Sequence, residues 1–435
     1  MKKQLRNEFL KYVTLNIMGM VALSCYILSD TYFVANGIGM KGLASLNLAI
    51  SIYNILHGSG LMIGIGGATR YTICKASGED KKADQVFSAT ILLGLVIGIS
   101  FLIIGVFFNE GIAHRLGSND TTLRMTSVYI RTILCFSPFF IFNNVLIAFI
   151  RNDGAPKVAM SGMLFGSLSN VVLDYIFIYP FGMGMFGAAF ATCLAPIISI
   201  LVMSPYLFTR KNGFHLVSVG RFYLVWGKIT SLGISAFVTE IASGVVLIVF
   251  NLLLLRIAGN TGVAAYGVIA NLSLVAFAVF TGIGQGMQPL ISNYYSRKEK
   301  KSTGLLLRYG ITLCMITAFL LYISVWFFAE DIVSLFNSEG IESLQVISVE
   351  GLKLYFVGFL FAGINVILCA FFSAIERGKV GFLLSVLRGF IIIIPLAILM
   401  SSVLGLKGLW ITFSITEATT LIVAVFFIKI YIRKN

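Results

Sequence analysis

Apolar residues run along this chain in long unbroken blocks, separated by short polar stretches. Twelve blocks stand out, at roughly 11–35, 43–68, 86–108, 126–149, 158–179, 186–208, 228–256, 262–292, 303–328, 346–373, 380–402 and 408–431. A membrane-spanning helix needs about 20 predominantly apolar residues, and each block supplies that many. Barrel strands would instead be about 10 residues long with strict alternation. The pattern therefore predicts an all-α integral membrane protein with twelve transmembrane helices. The first nine residues, MKKQLRNEF, are basic, but no small-residue cleavage site follows them. The first block is expected to be a retained span rather than a signal peptide.

The blocks repeat. Gly42-Leu43-Ala44 matches Gly262-Val263-Ala264, and Gly64-Ile65-Gly66 matches Gly284-Gln285-Gly286, both at a shift of 220. Asn143 and Ala148-Phe149 match Asn365 and Ala370-Phe371 at 222, and Gly184 and Gly187 match Gly405 and Gly408 at 221. A nearly constant shift over distant regions predicts a duplication. Six spans per half is an even number, so both halves start on the same side. They are then two six-helix bundles related by a pseudo-two-fold axis along the membrane normal, the arrangement in which a substrate site lies between halves. The expected division is 1–208, a polar joint at 209–222, and 223–435.

Composition supports the membrane reading. Of 435 residues, 58% are apolar and 11% charged, against about 25% charged in soluble domains. The net charge of +14 would suggest a nucleic-acid partner in a soluble protein, but its distribution argues otherwise. With the N-terminus inside, 25 of the 32 Lys and Arg fall in inner segments, among them Arg70, Arg151, Arg210, Lys211, Arg221 and Arg388. Seven fall outside: Lys41, Arg115, Arg124, Arg131, Arg256, Lys353 and Lys407. Glu330, Asp331, Glu339 and Glu342 form an acidic outer loop. The positive-inside rule then predicts cytoplasmic termini and no nucleic-acid partner. Cysteines 25, 74, 135, 193, 314 and 369 show no metal-like spacing, and the histidines (His57, His114, His215) are scattered. No structural disulfide, metal site beyond a possible Na⁺, or cofactor is expected.

Four acids lie deep in the blocks: Asp30, Asp174, Glu240 and Glu417. An ionisable group at that depth is costly and usually faces an internal cavity. Asp30 is about 19 residues past Lys11, roughly 28 Å along a helix, and Asp174 about 17 past Lys157, roughly 25 Å. Thr192 falls near the same outer depth. Asn170 and Tyr26 each precede an Asp by four residues and share its helix face. Two carboxylates, an amide and two hydroxyls are thus expected to converge. Two neighbouring carboxylates in low dielectric cannot both ionise cheaply, and the same oxygens suit a dehydrated Na⁺. Glu240 and Glu417 lie near mid-depth in the second half. Each is expected either to meet a cationic substrate or second ion, or to be a protonated packing residue. Packing is the stronger expectation for Glu417.

At these residues the sequence resembles the MATE family (multidrug and toxic-compound extrusion), and within it the bacterial DinF-like and MepA-like branch. The resemblance is carried by Ser29-Asp30-Thr31 with VANGIG after it, by Asn170 through Ile178 (NVVLDYIFI), by Gly182 through Thr192 (GMGMFGAAFAT), and by Gly284-Gln285-Gly286-Met287-Gln288-Pro289. It implies a V-shaped pair of bundles that exports drugs in exchange for H⁺ or Na⁺. It assigns the ion site to Asp30, Asn170, Asp174, Thr192 and Tyr26, and a cavity-lining role to Asn144. Glu240, Gln285 and Gln288 are further cavity candidates. The chain departs from the family pattern in two places: residues 11–35 contain no proline, and the tenth block has no deep acid. A proline-driven bend of the first helix and a complete second-half Na⁺ site are therefore not expected. The combined expectation is a non-enzymatic, monomeric exporter of cationic amphiphilic drugs or dyes, surrounded by lipid in the bacterial cytoplasmic membrane and driven by H⁺ in preference to Na⁺. The competing readings are a flippase for a lipid-linked saccharide and a non-transporting receptor or scaffold. A membrane-embedded enzyme lacks a nucleophile–base pair or metal cluster within the blocks.

Overall fold

The computed structural model describes residues 2–209, 212–218, 220, 223–337 and 340–434. Arg210, Lys211, Arg221 and Glu339, counted above as loop charges, lie outside the described residues, as do five positions of the expected joint. The described residues are almost all helical, with no strand among them, and cross the bundle twelve times. Spans 1, 2 and 3 are Lys2–Gly37, Met40–Ala76 and Asp80–Arg115. Span 4 is a bent pair, Leu123–Cys135 and Ser137–Asn152, turned by 51°. Spans 5 and 6 are Pro156–Ile178 and Gly184–Phe208. Tyr223–Ser296 is helical over 74 residues, about 110 Å if straight. No bilayer accommodates that length, and the helix breaks at Gly259, whose φ of 61° suits glycine. Residues 223–258 are therefore span 7 and 260–296 span 8. Span 9 is Lys300–Phe336. Span 10 is the bent pair Glu342–Phe356 and Phe359–Ala374, turned by 46°. Span 11 joins Gly378–Val386, a π-turn at Leu387–Ile391 and residues 393–404, and span 12 follows the break at Gly405 (φ 60°).

The helices extend well past the apolar blocks, because their polar end turns need no hydrocarbon around them. Both bent spans sit at equivalent places in the two halves. Pro138 opens the second piece of span 4, where it removes a backbone donor and disfavours helix at the residue before it. The π-turn of span 11 ends four residues before Pro395, the position at which a proline ring collides with a helical carbonyl.

The two bundles interlock at the starts of their first spans. Leu5, Phe9 and Val13 of span 1 are buried in the second half's core, beside Phe280, Ile283 and Met287. Ile229 of span 7 is buried in the first half's core, beside Phe149 and Ile150. Phe9 and Ile229 are themselves 220 residues apart, so each half lends the start of its first span to the other. The repeated glycines permit this crossing. A β-carbon on Gly66 would meet Ile229 O at 1.9 Å, and one on Gly286 would meet Val13 Cα at 2.8 Å. Small residues of this kind let membrane helices approach backbone to backbone.

Residues 212–218 form a strap on the first half. Phe214 is buried among Tyr71, Phe87 and Phe149. Asp153 accepts hydrogen bonds from Tyr71, from Tyr206 at 2.9 Å and from the Gly213 N–H at 2.6 Å. The His215 N–H donates to Asp84 at 2.9 Å and that of Val217 to Ser88 at 2.8 Å.

Two cations assigned above to inner segments are not loop residues. Arg151 (2% exposed) belongs to span 4 and Arg388 (8%) to span 11. Arg151 is one residue from the end of span 4 and Arg388 ten residues into span 11, and both side chains turn into the bundle.

Candidate functional site

Span 5 places Asn170 and Asp174 one turn apart, both fully buried. In the amide orientation that its neighbours can satisfy, Asn170 donates to Asp174 Oδ2 at 3.1 Å, and its oxygen accepts from the Thr192 N–H at 3.2 Å. The Thr192 hydroxyl donates to Ala188 O at 3.1 Å, within its own helix. Span 1 brings Asp30 to the same region, 7% exposed and within electrostatic reach of Asp174. Tyr26, four residues earlier, is within electrostatic reach of Asp30, and its hydroxyl bonds that of Tyr53 at 2.7 Å. The five residues expected at the ion site thus lie close together, in the half of the bundle away from the termini.

One oxygen on each carboxylate, Asp30 Oδ1 and Asp174 Oδ1, is buried with no hydrogen-bond partner. Buried polar atoms are rarely left unpaired, so these oxygens can take a proton or coordinate a small cation. Tyr129 of span 4 lies within electrostatic reach of both acids. Sequence reading overlooked it, since one tyrosine in an apolar block carries no positional signal.

A cavity opens beside this cluster. Tyr26, Tyr53, His57 and Phe140 line one end, Met20, Leu23, Asn144 and Met163 the middle, and Arg151 and Gln285 the other end. His57 stacks on Tyr53 with ring centroids 5.6 Å apart. Asn144 faces the cavity while its amide donates to Phe140 O at 3.0 Å.

The other candidates separate. Gln285 lines the cavity and accepts from Arg151 at 3.0 Å. Gln288 does not line it. Its amide donates to Thr69 at 3.0 Å, across the halves. Glu240, half-buried on span 7, faces span 2, where a β-carbon on Gly58 would lie 3.0 Å from its Cβ. It is within electrostatic reach of Tyr53 but is not part of the cavity wall. Glu417 is not a cavity residue, and its side chain is held by a cation and an amide. Arg388 donates to its Oε1 at 2.6 and 3.0 Å, and Asn365 to its Oε2 at 2.7 Å. The inward turn of Arg388 could not be read from sequence, and it converts Glu417 into half of a buried ion pair.

Contacts between the halves cluster from mid-bundle to the end carrying the termini. Among the described residues they include Asn16 to Gly282 O (3.0 Å), Ser77 to Ser296 (2.7 Å) and the ion pair of Arg70 with Glu376.

Comparison with known proteins agrees with this geometry. The MatE family model matches residues 16–176 and 236–399. The chain is 27% identical over 429 residues to the multidrug export protein MepA of Staphylococcus saprophyticus, covering 96% of this chain and 92% of that protein. It is 26% identical over 402 residues to MepA of Staphylococcus aureus, covering 90% and 86%. Among solved structures, an outward-facing multidrug resistance MATE family transporter superposes with a TM-score of 0.93 at 20% identity, covering 99% of this chain and 96% of that one. A MATE solved in complex with MaL6 gives 0.92 at 22%, covering 99% and 97%. The chain belongs to the MatE family and is a multi-pass membrane transporter of the MATE fold.

Proposed function

We propose that this transporter is a secondary active multidrug exporter that exchanges amphiphilic compounds for an ion, H⁺ in preference to Na⁺, across the bacterial cytoplasmic membrane with its termini inside. The observation that carries the reading is the pair of unpartnered, buried oxygens on Asp30 and Asp174. A proton or cation arriving there changes the hydrogen bonding of Asn170 and the charge felt by Tyr26 and Tyr129. Tyr26 and Thr192 also line the adjacent cavity, so ion and substrate bias the same helices. Coupling needs no more than that: each ligand must bind the two packings of the first half unequally. Glu240 lies outside the cavity wall but within electrostatic reach of Tyr53, which lines it, and supplies negative charge near a substrate's cationic group. The MepA names support drug export, and the basic loops support the orientation.

The test is dye efflux from vesicles containing the purified chain, with a proton or a sodium gradient imposed separately. Efflux under the proton gradient is expected. Efflux under sodium alone would overturn the H⁺ preference, and efflux under neither would remove the antiport.

A further inference from the structure

Arg151 is a charge the exporter reading has not used. It is 2% exposed, yet it forms part of the cavity wall. Among the described residues its acceptors are neutral: Asn16 Oδ1 at 2.8 Å and Gln285 Oε1 at 3.0 Å, both bonded through one terminal nitrogen. Its Nε is buried with no partner. Among the described residues its hydrogen bonds reach no carboxylate, and none lines the cavity. A guanidinium in low dielectric normally sits against an acid, because leaving it unpaired is costly. Two further cavity atoms, Asn143 Oδ1 and Ser199 Oγ, are also buried and unpartnered.

The cavity is therefore electrically lopsided. Arg151 lies eleven residues beyond Phe140 on one helix, roughly 16 Å away. Around Phe140 stand Tyr26, Tyr53 and His57, with Asp30 and Glu240 in electrostatic reach of Tyr53. Apolar side chains of Met20, Leu23, Ile147 and Met163 occupy the stretch between. One end is aromatic with acids behind it, the middle is greasy, and the other end is cationic.

We infer that the cavity binds an anionic group of its substrate at Arg151, so that the transported class includes dipolar amphiphiles carrying a carboxylate or phosphate. This rests on the proposal that the cavity holds the exported compound. It changes the expected substrate from a simple cation to a molecule whose anionic end is paired with the guanidinium fork, the geometry that best matches a carboxylate.

The test is equilibrium binding to the full chain in detergent, with no gradient. It uses a xanthene dye bearing a free benzoate and the methyl ester of that dye, which differ only in the carboxylate. The wild type is expected to bind the acid more tightly than the ester. Arg151→Gln is expected to lose about tenfold to a hundredfold in affinity for the acid and less than about twofold for the ester, while Arg151→Lys retains part of the preference. Equal binding of acid and ester by the wild type, binding of neither, or equal loss of both in Arg151→Gln would each overturn the inference. The last result would leave Arg151 as a tie between the halves. Displacement of the acid by short-chain phosphatidate would support the anion site and identify a lipid phosphate as its source. Binding needs no ion gradient, so failed antiport leaves this result readable, and working antiport with no acid preference removes this inference alone.

Discussion

A charge held at bilayer depth must be neutralised by a partner, a proton or a ligand, and the buried ionisable residues of this chain fall into those classes. Glu417 is neutralised by Arg388 and held by Asn365. Removing one partner of such a pair strands the other, at a cost of about 3–5 kcal/mol. Glu417→Gln is expected to lower the thermal unfolding midpoint in detergent sharply, and Arg388→Met with Glu417→Leu to recover most of the loss. If the single variant melts like the wild type, the pair is not structural. Among the described residues Asp30 and Asp174 have no such cation and lie within electrostatic reach of each other. The sequence made these acids conspicuous, because an Asp in an apolar block is rare and helix arithmetic gives its depth. Arg151 and Arg388 were hidden for the opposite reason. What separates a loop cation from a buried one is where the helix ends and which way the side chain points, and the apolar pattern gives neither for Arg151 or Arg388.

At the scale of helices, the repeated glycines have a mechanical explanation that composition alone could not supply. Gly66 and Gly286 mark where span 2 crosses span 7 and span 8 crosses span 1. The backbone contact at Gly66 leaves no room for a methyl group. Gly66→Ala is expected to spread the halves at the end carrying the termini. Introducing Ser77→Cys with Ser296→Cys, whose hydroxyls are 2.7 Å apart, in a background without other cysteines reports this directly. Oxidative cross-linking should be efficient on its own and fall severalfold when Gly66→Ala is added. An unchanged yield would mean that the crossing tolerates the methyl group. The exchange of span starts between the halves was likewise illegible, since a hydrophobic block looks the same whichever core it enters. The strap at 212–218 behaved similarly: its polar composition read as a joint, but Phe214 and Asp153 fasten it to the first half.

For the whole molecule, the span count and duplication were readable because hydrocarbon thickness fixes block length and a constant shift survives sequence drift. Alternating access requires the halves to separate at the end where they now touch. The oxidised Ser77→Cys/Ser296→Cys pair is therefore expected to block efflux and a reductant to restore it. Efflux through the cross-linked protein would show that this closure need not open. The central claim is that ions act in the first half, at Asp30 and Asp174. The most direct measurement is proton-gradient-driven dye efflux from vesicles containing Asp30→Asn or Asp174→Asn, beside gradient-free dye exchange by the same proteins. Each variant is expected to insert normally, to retain exchange and to lose gradient-driven efflux. Wild-type efflux by both variants under the same gradient would contradict the account.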